Sequence, residues 1–488
     1  MRVQILCLLL TLIVGAPAMS ADEPVDLTRE DLLAHPEVMG AIAAIDAWVN
    51  GRQIYEKIPG ISVGIVYDQE LLWSSGYGYS NLETKRPADA NTLYSICSIT
   101  KLFTAIGIMQ LRDESKLTLR DKVSDHLAWF DISQAYEDSG PVTVEGLMTH
   151  SSGLPRESDY PYWIGPDFPF PTREEMIERL GSQETLYPSQ RYFQYSNLGW
   201  TLAGEIVTEL SGQSYDSYIR EHILDPLDLN DTRTFYPDNL RGEELAIGYT
   251  GMHRDLRRDP VKSFFTRGIT AAAGFTSSVN DLAKFASWQF RLLDSGGSEI
   301  LDANTLREMH RVHWVDPDWK TTWGLGFSVE RSDDTTFVSH GGGCPGYITS
   351  FTMVPKQKIA AVVLTNAGDG PADSIAVNIL GAISSALEKA GKPDEKEIPD
   401  FSMYEGNYES RPWGGEVAVR QWGDHLAVID IPGNDLEEAI VRLKHDSGNT
   451  FIRLTDEDDT REPWVFEIGD DGKASKIVRH SGFMSRIQ

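Results

Sequence analysis

The chain has 488 residues, of which 41% are hydrophobic and 24% charged, enough for two or three domains with a sizeable core. Its formal charge of −29, from 44 basic and 73 acidic residues, disfavours nucleic acid and anionic membrane as partners and weakly favours neutral or cationic substrates. Three cysteines in a chain of this length exclude a scaffold built on disulfides.

Met1-Arg2, the apolar run 3–14 and Gly15-Ala16-Pro17-Ala18-Met19-Ser20-Ala21 have the architecture of a secretory signal over residues 1–21, cleaved after Ala18 or Ala21, with export to the periplasm or the medium. The run is short of the roughly 20 residues that span a bilayer and no later stretch qualifies, so stable membrane insertion is not expected. Cleavage removes Arg2 and Cys7, which takes the charge from −29 to −30 and leaves Cys97 and Cys344.

Residues 37–56 read as a helix, and Gly60–Tyr67 and 71–79 as a hairpin turning at Asp68-Gln69-Glu70. Ser98-Ile99-Thr100-Lys101, the one Ser-x-x-Lys of the chain, then opens a long apolar segment. On a helix, residues three apart share a face, so the hydroxyl and the amine can meet. A serine is a weak nucleophile until a base takes its proton, and a lysine becomes that base only when burial or nearby cations lower its pKa from about 10.4. Leu102, Phe103, Ala105, Ile106, Ile108, Met109 and Leu111 supply the burial.

Helical patterns follow at Val144–Met148, 172–180, 198–210, 215–223 and 281–293, the last with Ser278 and Asp281 as a capping box. Strands return at 324–329, 336–339, Tyr347–Val354 and 360–364, before a helix over 372–387. The fold class is therefore α+β, an α/β sandwich whose antiparallel sheet, drawn from both ends of a domain over 22–390, is flanked by helices and carries a large helical insertion. Lys, Glu, Asp and Pro make 391–400 a linker. Over 401–488, short apolar runs at 416–421, His425–Ile431, 439–443, Thr450–Leu454, 464–468 and 476–480 alternate with turns, which suits an up-and-down meander or a lipocalin-like barrel. No ligand site is readable there.

Three further segments accompany Ser98 and Lys101 in order: Thr149-His150-Ser151-Ser152-Gly153-Leu154-Pro155, Tyr195-Ser196-Asn197 and His340-Gly341-Gly342-Gly343. Together they resemble the serine β-lactamase and penicillin-binding-protein superfamily, especially its class C β-lactamase-like branch, over residues 59–368. The resemblance implies that Ser98 is the acylated nucleophile and that Lys101 and Tyr195 jointly carry the proton, Tyr195 with its phenolate favoured by Lys101. It implies that Asn197 bonds Lys101 and the substrate, and that the N–H groups of Ser98 and Gly343, beside Gly342 on the His340 strand, form the oxyanion hole. No cofactor or metal is required, and the partner is a small molecule or short peptide. His150 is expected to tie a loop. Tyr79-Ser80-Asn81 repeats the second motif letter for letter but precedes the nucleophile, where a turn is the expected role.

His340 departs from the pattern, since β-lactamases and cell-wall carboxypeptidases of this superfamily usually place lysine there. A histidine is mostly neutral at pH 7, so a fixed cation for a substrate carboxylate is missing. That fits the esterase and D-amino-acid peptidase members better than a β-lactamase or D-Ala-D-Ala carboxypeptidase. A non-catalytic secreted binding or sensor protein is the alternative of another class, and no Gly-x-Ser-x-Gly or His-Glu-x-x-His motif points to another hydrolase. Tyr160, Tyr162, Trp163, Phe168 and Phe170 form either an aromatic wall for an apolar substrate group or a loop packed on its own domain. Cys97 and Cys344 flank both oxyanion donors and are read as two small buried residues, with a redox-sensitive link across the site as the other possibility.

Overall fold

The structure, a computed structural model, describes residues 27–487 except Tyr160, 393–397, 456–459 and Ser481. The signal segment, Tyr160 and the middle of the linker lie outside the described residues.

Gly60–Tyr67 and Ile359–Thr365 are apolar at nearly every position, the pattern of strands covered on both faces. They pair at the middle of a nine-stranded sheet ordered Arg86–Pro87, Glu70–Asn81, Gly60–Tyr67, Ile359–Thr365, Tyr347–Val354, Thr335–Cys344, Ser328–Ser332, Thr322–Trp323, Trp314–Val315, all antiparallel. Ile61, Val63, Ile65, Ala361 and Val363 pack under the helices Pro36–Tyr55 and Ala372–Ala390. Val362 and Leu364 point the other way, into a larger core shared with Thr100–Asp113, Asn197–Ser211 and Val279–Ser295. The α+β layering and the helical insertion are thus as expected.

Local differences have local causes. The strand expected at 336–339 runs on through the glycines to Cys344, in register His340 with Phe351 and Gly343 with Ile348, because ladder pairing overrides the poor strand propensity of glycine. The strand expected at 324–329 begins only at Ser328, after a turn in which Gly324 N–H donates to Phe327 O at 2.8 Å. Ser278 does cap its helix, but the Asp281 carboxylate, instead of closing the box, accepts from the backbone N–H groups of Asp231 and Thr232 at 2.8 Å each. The helix at Tyr215–Ile219 passes into a wide π turn, Arg220–Leu224.

Beyond the linker, eight strands form a closed barrel. Two of them, Gly406–Glu409 and Gly482–Ile487, were not legible as strands, and it is their pairing, Asn407 with Ile487, that closes it. Tyr408, Leu426, Val428, Phe451, Trp464 and Phe466 fill the interior. The outer face docks on Pro36–Tyr55: a Cβ on Gly40 would lie 2.5 Å from Trp422 Cα and one on Gly51 2.5 Å from Ile431 Cγ2, so this helix must be bare where the barrel meets it. Trp48 Nε1 donates to Gly433 O at 2.8 Å and Trp422 Nε1 to Glu37 at 3.0 Å across the same contact. That helix covers the sheet face away from Thr100–Asp113, so the barrel sits behind the layers that carry Ser98 and Lys101.

Candidate active site

Ser98 lies in a one-turn 3-10 helix, Cys97–Ile99, that runs straight into Thr100–Asp113. Ser98 is half-buried and Lys101 fully buried. Lys101 Nζ is 3.1 Å from Ser98 Oγ, 2.8 Å from Asn197 Oδ1 and 2.7 Å from Ala272 O. Burial pushes its pKa well below the ordinary lysine value, with the Arg156 charge acting in the same direction and Glu157 opposing. In its neutral form such an amine has two hydrogens and one lone pair. Two carbonyl-type oxygens take the hydrogens, and the lone pair is left for the Ser98 hydroxyl.

Tyr195 precedes the helix Asn197–Ser211, whose cap Ser196 accepts from Gly199 N–H at 2.8 Å and donates to Pro155 O at 2.7 Å. The ring centroid of Tyr195 is 4.9 Å from Lys101 Nζ, and the Arg156 guanidinium carbon lies at the same distance. His150 stacks on it at 4.1 Å and accepts at Nδ1 from Ser196 N–H at 2.9 Å, which is the loop-tying role expected of it. The phenol is half-buried, and desolvation pushes its pKa up despite Ser98 and Arg156. The shift is opposite to the lowering that the expected phenolate requires, because desolvation outweighs the nearby positive charge.

Glu157 joins the site without a sequence signal of its own beyond its place after Gly153-Leu154-Pro155-Arg156. Asn197 Nδ2 donates to its carboxylate at 2.6 Å, Trp163 Nε1 at 2.9 Å, and Tyr162 through its hydroxyl. Glu157 therefore fixes which way the Asn197 amide faces and ties the aromatic loop to the Asn197–Lys101 pair. Tyr162 and Phe170 are buried, with rings 5.1 Å apart and Phe170 against Trp163 at 4.9 Å. Packing within the domain, rather than an exposed wall, accounts for these two aromatics.

The third motif approaches the nucleophile from the strand Thr335–Cys344. A Cβ on Gly342 would collide with the Ile96 carbonyl and the Thr349 hydroxyl, so only glycine lets the strand come this close to the residues before Ser98. Gly343 is exposed. Cys97 and Cys344 are joined by a disulfide with Cα atoms 5.8 Å apart, which overturns their reading as two unlinked residues. The bond spans 247 positions of sequence and could not be read from spacing. It ties the turn bearing Ser98 to the strand bearing Gly343. His340 is buried, with Nδ1 2.7 Å from Gly341 O. Trp323, also missed in the sequence because the strand Thr322–Trp323 is only two residues long, packs 5.6 Å from His340 and 5.1 Å from His150. The decoy Asn81 caps a turn, accepting from Glu83 N–H at 3.0 Å.

The Beta-lactamase family profile matches residues 45–384, more than half of the chain. The chain belongs to the beta-lactamase family. It is 28% identical over 412 residues to Beta-lactamase-like protein 2 of Dictyostelium discoideum, covering 82% of this chain and 72% of that one. Among solved structures it is similar to the octameric penicillin-binding protein homologue from Pyrococcus abyssi, with a TM-score of 0.62 and 27% identity over 91% of this chain and 99% of the other. It shares its fold with EstCE1, a hydrolase with promiscuous acyltransferase activity, at a TM-score of 0.58 and 20% identity over 72% of this chain and 98% of that one. The fold of this beta-lactamase family member is thus that of a serine β-lactamase-like hydrolase.

Proposed function

We propose that the protein is an exported serine hydrolase that forms an acyl-enzyme on Ser98 and hydrolyses a neutral or amine-bearing ester, amide or short peptide. The observation that carries this reading is the buried Lys101 amine, 3.1 Å from Ser98 Oγ, with both other directions of its nitrogen taken by Asn197 Oδ1 and Ala272 O. Lys101 accepts the Ser98 proton as Oγ attacks the substrate carbonyl, and the N–H groups of Ser98 and Gly343 receive the oxyanion. The proton returns through the Tyr195 hydroxyl to the leaving group as its bond to the acyl carbon breaks. Water then attacks the ester, Tyr195 and Lys101 taking its proton while Ser98 regains one. The leader sequence and the Cys97–Cys344 disulfide both support an oxidising compartment outside the cytosol.

A β-lactamase or D-Ala-D-Ala carboxypeptidase is favoured by one feature, the exposed Arg156 guanidinium over Tyr195, a cation that a substrate carboxylate could reach. A panel of short p-nitrophenyl esters, D- and L-amino-acid p-nitroanilides and a chromogenic cephalosporin, run beside Ser98→Ala, separates these readings. We expect ester or anilide turnover and fluorophosphonate labelling, both lost in Ser98→Ala. Fast cephalosporin hydrolysis would favour the β-lactamase reading, and no turnover with no labelling the binding-protein one.

A further inference from the structure

The Tyr79-Ser80-Asn81 motif, which the nucleophile site does not use, ends in the wall of a separate cleft of about 750 Å³, between the turn after Glu70–Asn81 and the segment 241–263. Asn81 pins both sides of it: Nδ2 donates to Gly242 O at 3.1 Å, and Oδ1 accepts from Glu83 N–H at 3.0 Å. The Tyr249 hydroxyl accepts from Leu82 N–H at 2.8 Å across the same gap. The strand leading into this wall stands four places from Thr335–Cys344 in the sheet, so at about 4.8 Å per strand the two are roughly 19 Å apart. Arg241 lines the cleft and is half-buried. Its Nη2 donates to Val261 O at 2.7 Å, the Tyr236 hydroxyl lies beside it, and its buried Nε has no partner among the described residues. Whereas Arg86 pairs with Glu243 and Arg258 with Asp369, Arg241 has no carboxylate partner among the described residues, in a chain of net charge −29. A cation held by a carbonyl and a phenol alone has given up hydration that they do not replace. Its charge is felt nearby, where it opposes the rise in pKa that burial gives Tyr236, Tyr249 and Tyr347. Lys262 adds a second cation to the lining, held only by an exposed contact with Asp167 at 3.3 Å, and Glu83 adds an exposed carboxylate.

We propose that this cleft is a second ligand site, for a monocarboxylate on an apolar body, whose carboxylate pairs with Arg241 and is backed by Lys262. A guanidinium and a carboxylate match in shape and charge, and the pair supplies the partner that Arg241 lacks. Leu82, Ile247, Pro260 and Val261 form much of the remaining lining and suit an apolar body rather than a small hydrated ion. Glu83 repels a second negative charge, which sets a dianion such as phosphate at a disadvantage. The walls are already pinned by Asn81 and Tyr249, so little ordering is left for the ligand to impose. The site stands apart from Ser98 and does not depend on the serine-hydrolase reading.

The test is isothermal titration of the protein at low salt with hexanoate, 1-hexanol, acetate and inorganic phosphate. Hexanoate is expected to bind at one equivalent and about tenfold or more tighter than each of the other three. Arg241→Gln weakens hexanoate by about tenfold or more, and Arg241→Lys, which keeps the charge without the fork, by less. Lys262→Ala weakens it and Glu83→Gln tightens it, each by about two- to fivefold, as suits exposed charges. Thermal unfolding reports whether Arg241→Gln is folded; Lys262 and Glu83 are exposed, so their variants carry the test on a native chain in either case. Hexanoate that does not bind, or that binds no tighter than 1-hexanol, overturns the site. Hexanoate affinity that is the same in the Lys262→Ala and Glu83→Gln variants as in wild type also overturns it, because the ligand is then bound elsewhere. None of these measurements uses turnover, so they stand whether or not Ser98 is found to be acylated.

Discussion

Lys101 is surrounded by three oxygen atoms yet shut off from water, and that combination sets its behaviour. Its folded pKa lies below the value near 10.4 that it has when the chain unfolds, so between those two values the unfolded chain binds a proton that the native one does not, and native stability rises with pH. Thermal unfolding of wild type and Lys101→Met should therefore diverge in favour of wild type as pH rises from neutral toward about 10. Equal slopes would mean that the amine is charged at rest. Glu157 opposes the lowering, and its carboxylate holds Asn197. Glu157→Gln removes the charge but keeps an amide of the same shape, so the acid limb of the kcat/KM profile should move to lower pH, with a loss on the order of tenfold from a less firmly held Asn197. A merely structural Glu157 would change the height of that profile and not its position. Ser98, Lys101, Tyr195 and Asn197 were legible because their motifs are short and ordered. Glu157 and Trp323 were not, since what makes them part of the site is a contact between segments far apart in the chain.

The elements that carry the site are the turn Cys97–Ile99 and the strand Thr335–Cys344, and the disulfide fastens one to the other. Closing so long a loop stabilises the native chain by about 2–5 kcal/mol in most accounts of such bonds. Thiol titration of the denatured mature chain should find no free thiol without reductant and one from each of Cys97 and Cys344 after it. Reduction, or the Cys97→Ser and Cys344→Ser pair, should lower the unfolding midpoint and reduce kcat by about tenfold or more, because the two proposed oxyanion donors lose their tether. Unchanged kcat in the reduced enzyme would assign the bond to stability alone. The element ends that sequence reading misplaced, at 324–329 and 336–339, lie where glycine obscures the alternation that marks a strand and where pairing partners decide the outcome instead.

At the scale of the whole molecule, the barrel meets the rear helices and not the cleft. Gly40→Val forces a side chain into Trp422 and should loosen the barrel, seen as faster proteolysis around 391–400, while kcat/KM on a p-nitrophenyl ester stays within about twofold, as expected of an interface remote from the reacting atoms. A large change in turnover would instead make the barrel a gate. The closing pair of strands, Gly406–Glu409 and Gly482–Ile487, escaped sequence reading because each depends for its strand form on the other, at the opposite end of the domain. The sequence by itself determined the reaction chemistry to expect and the layered fold, since a serine and a lysine three apart on a helix, ordered motifs and apolar periodicity are local properties. Only the tertiary structure decided the directions in which the pKa values of Lys101 and Tyr195 move, the pairing of Cys97 with Cys344 and the side on which the barrel docks. Each of these depends on burial or on distances between residues that sequence order leaves free.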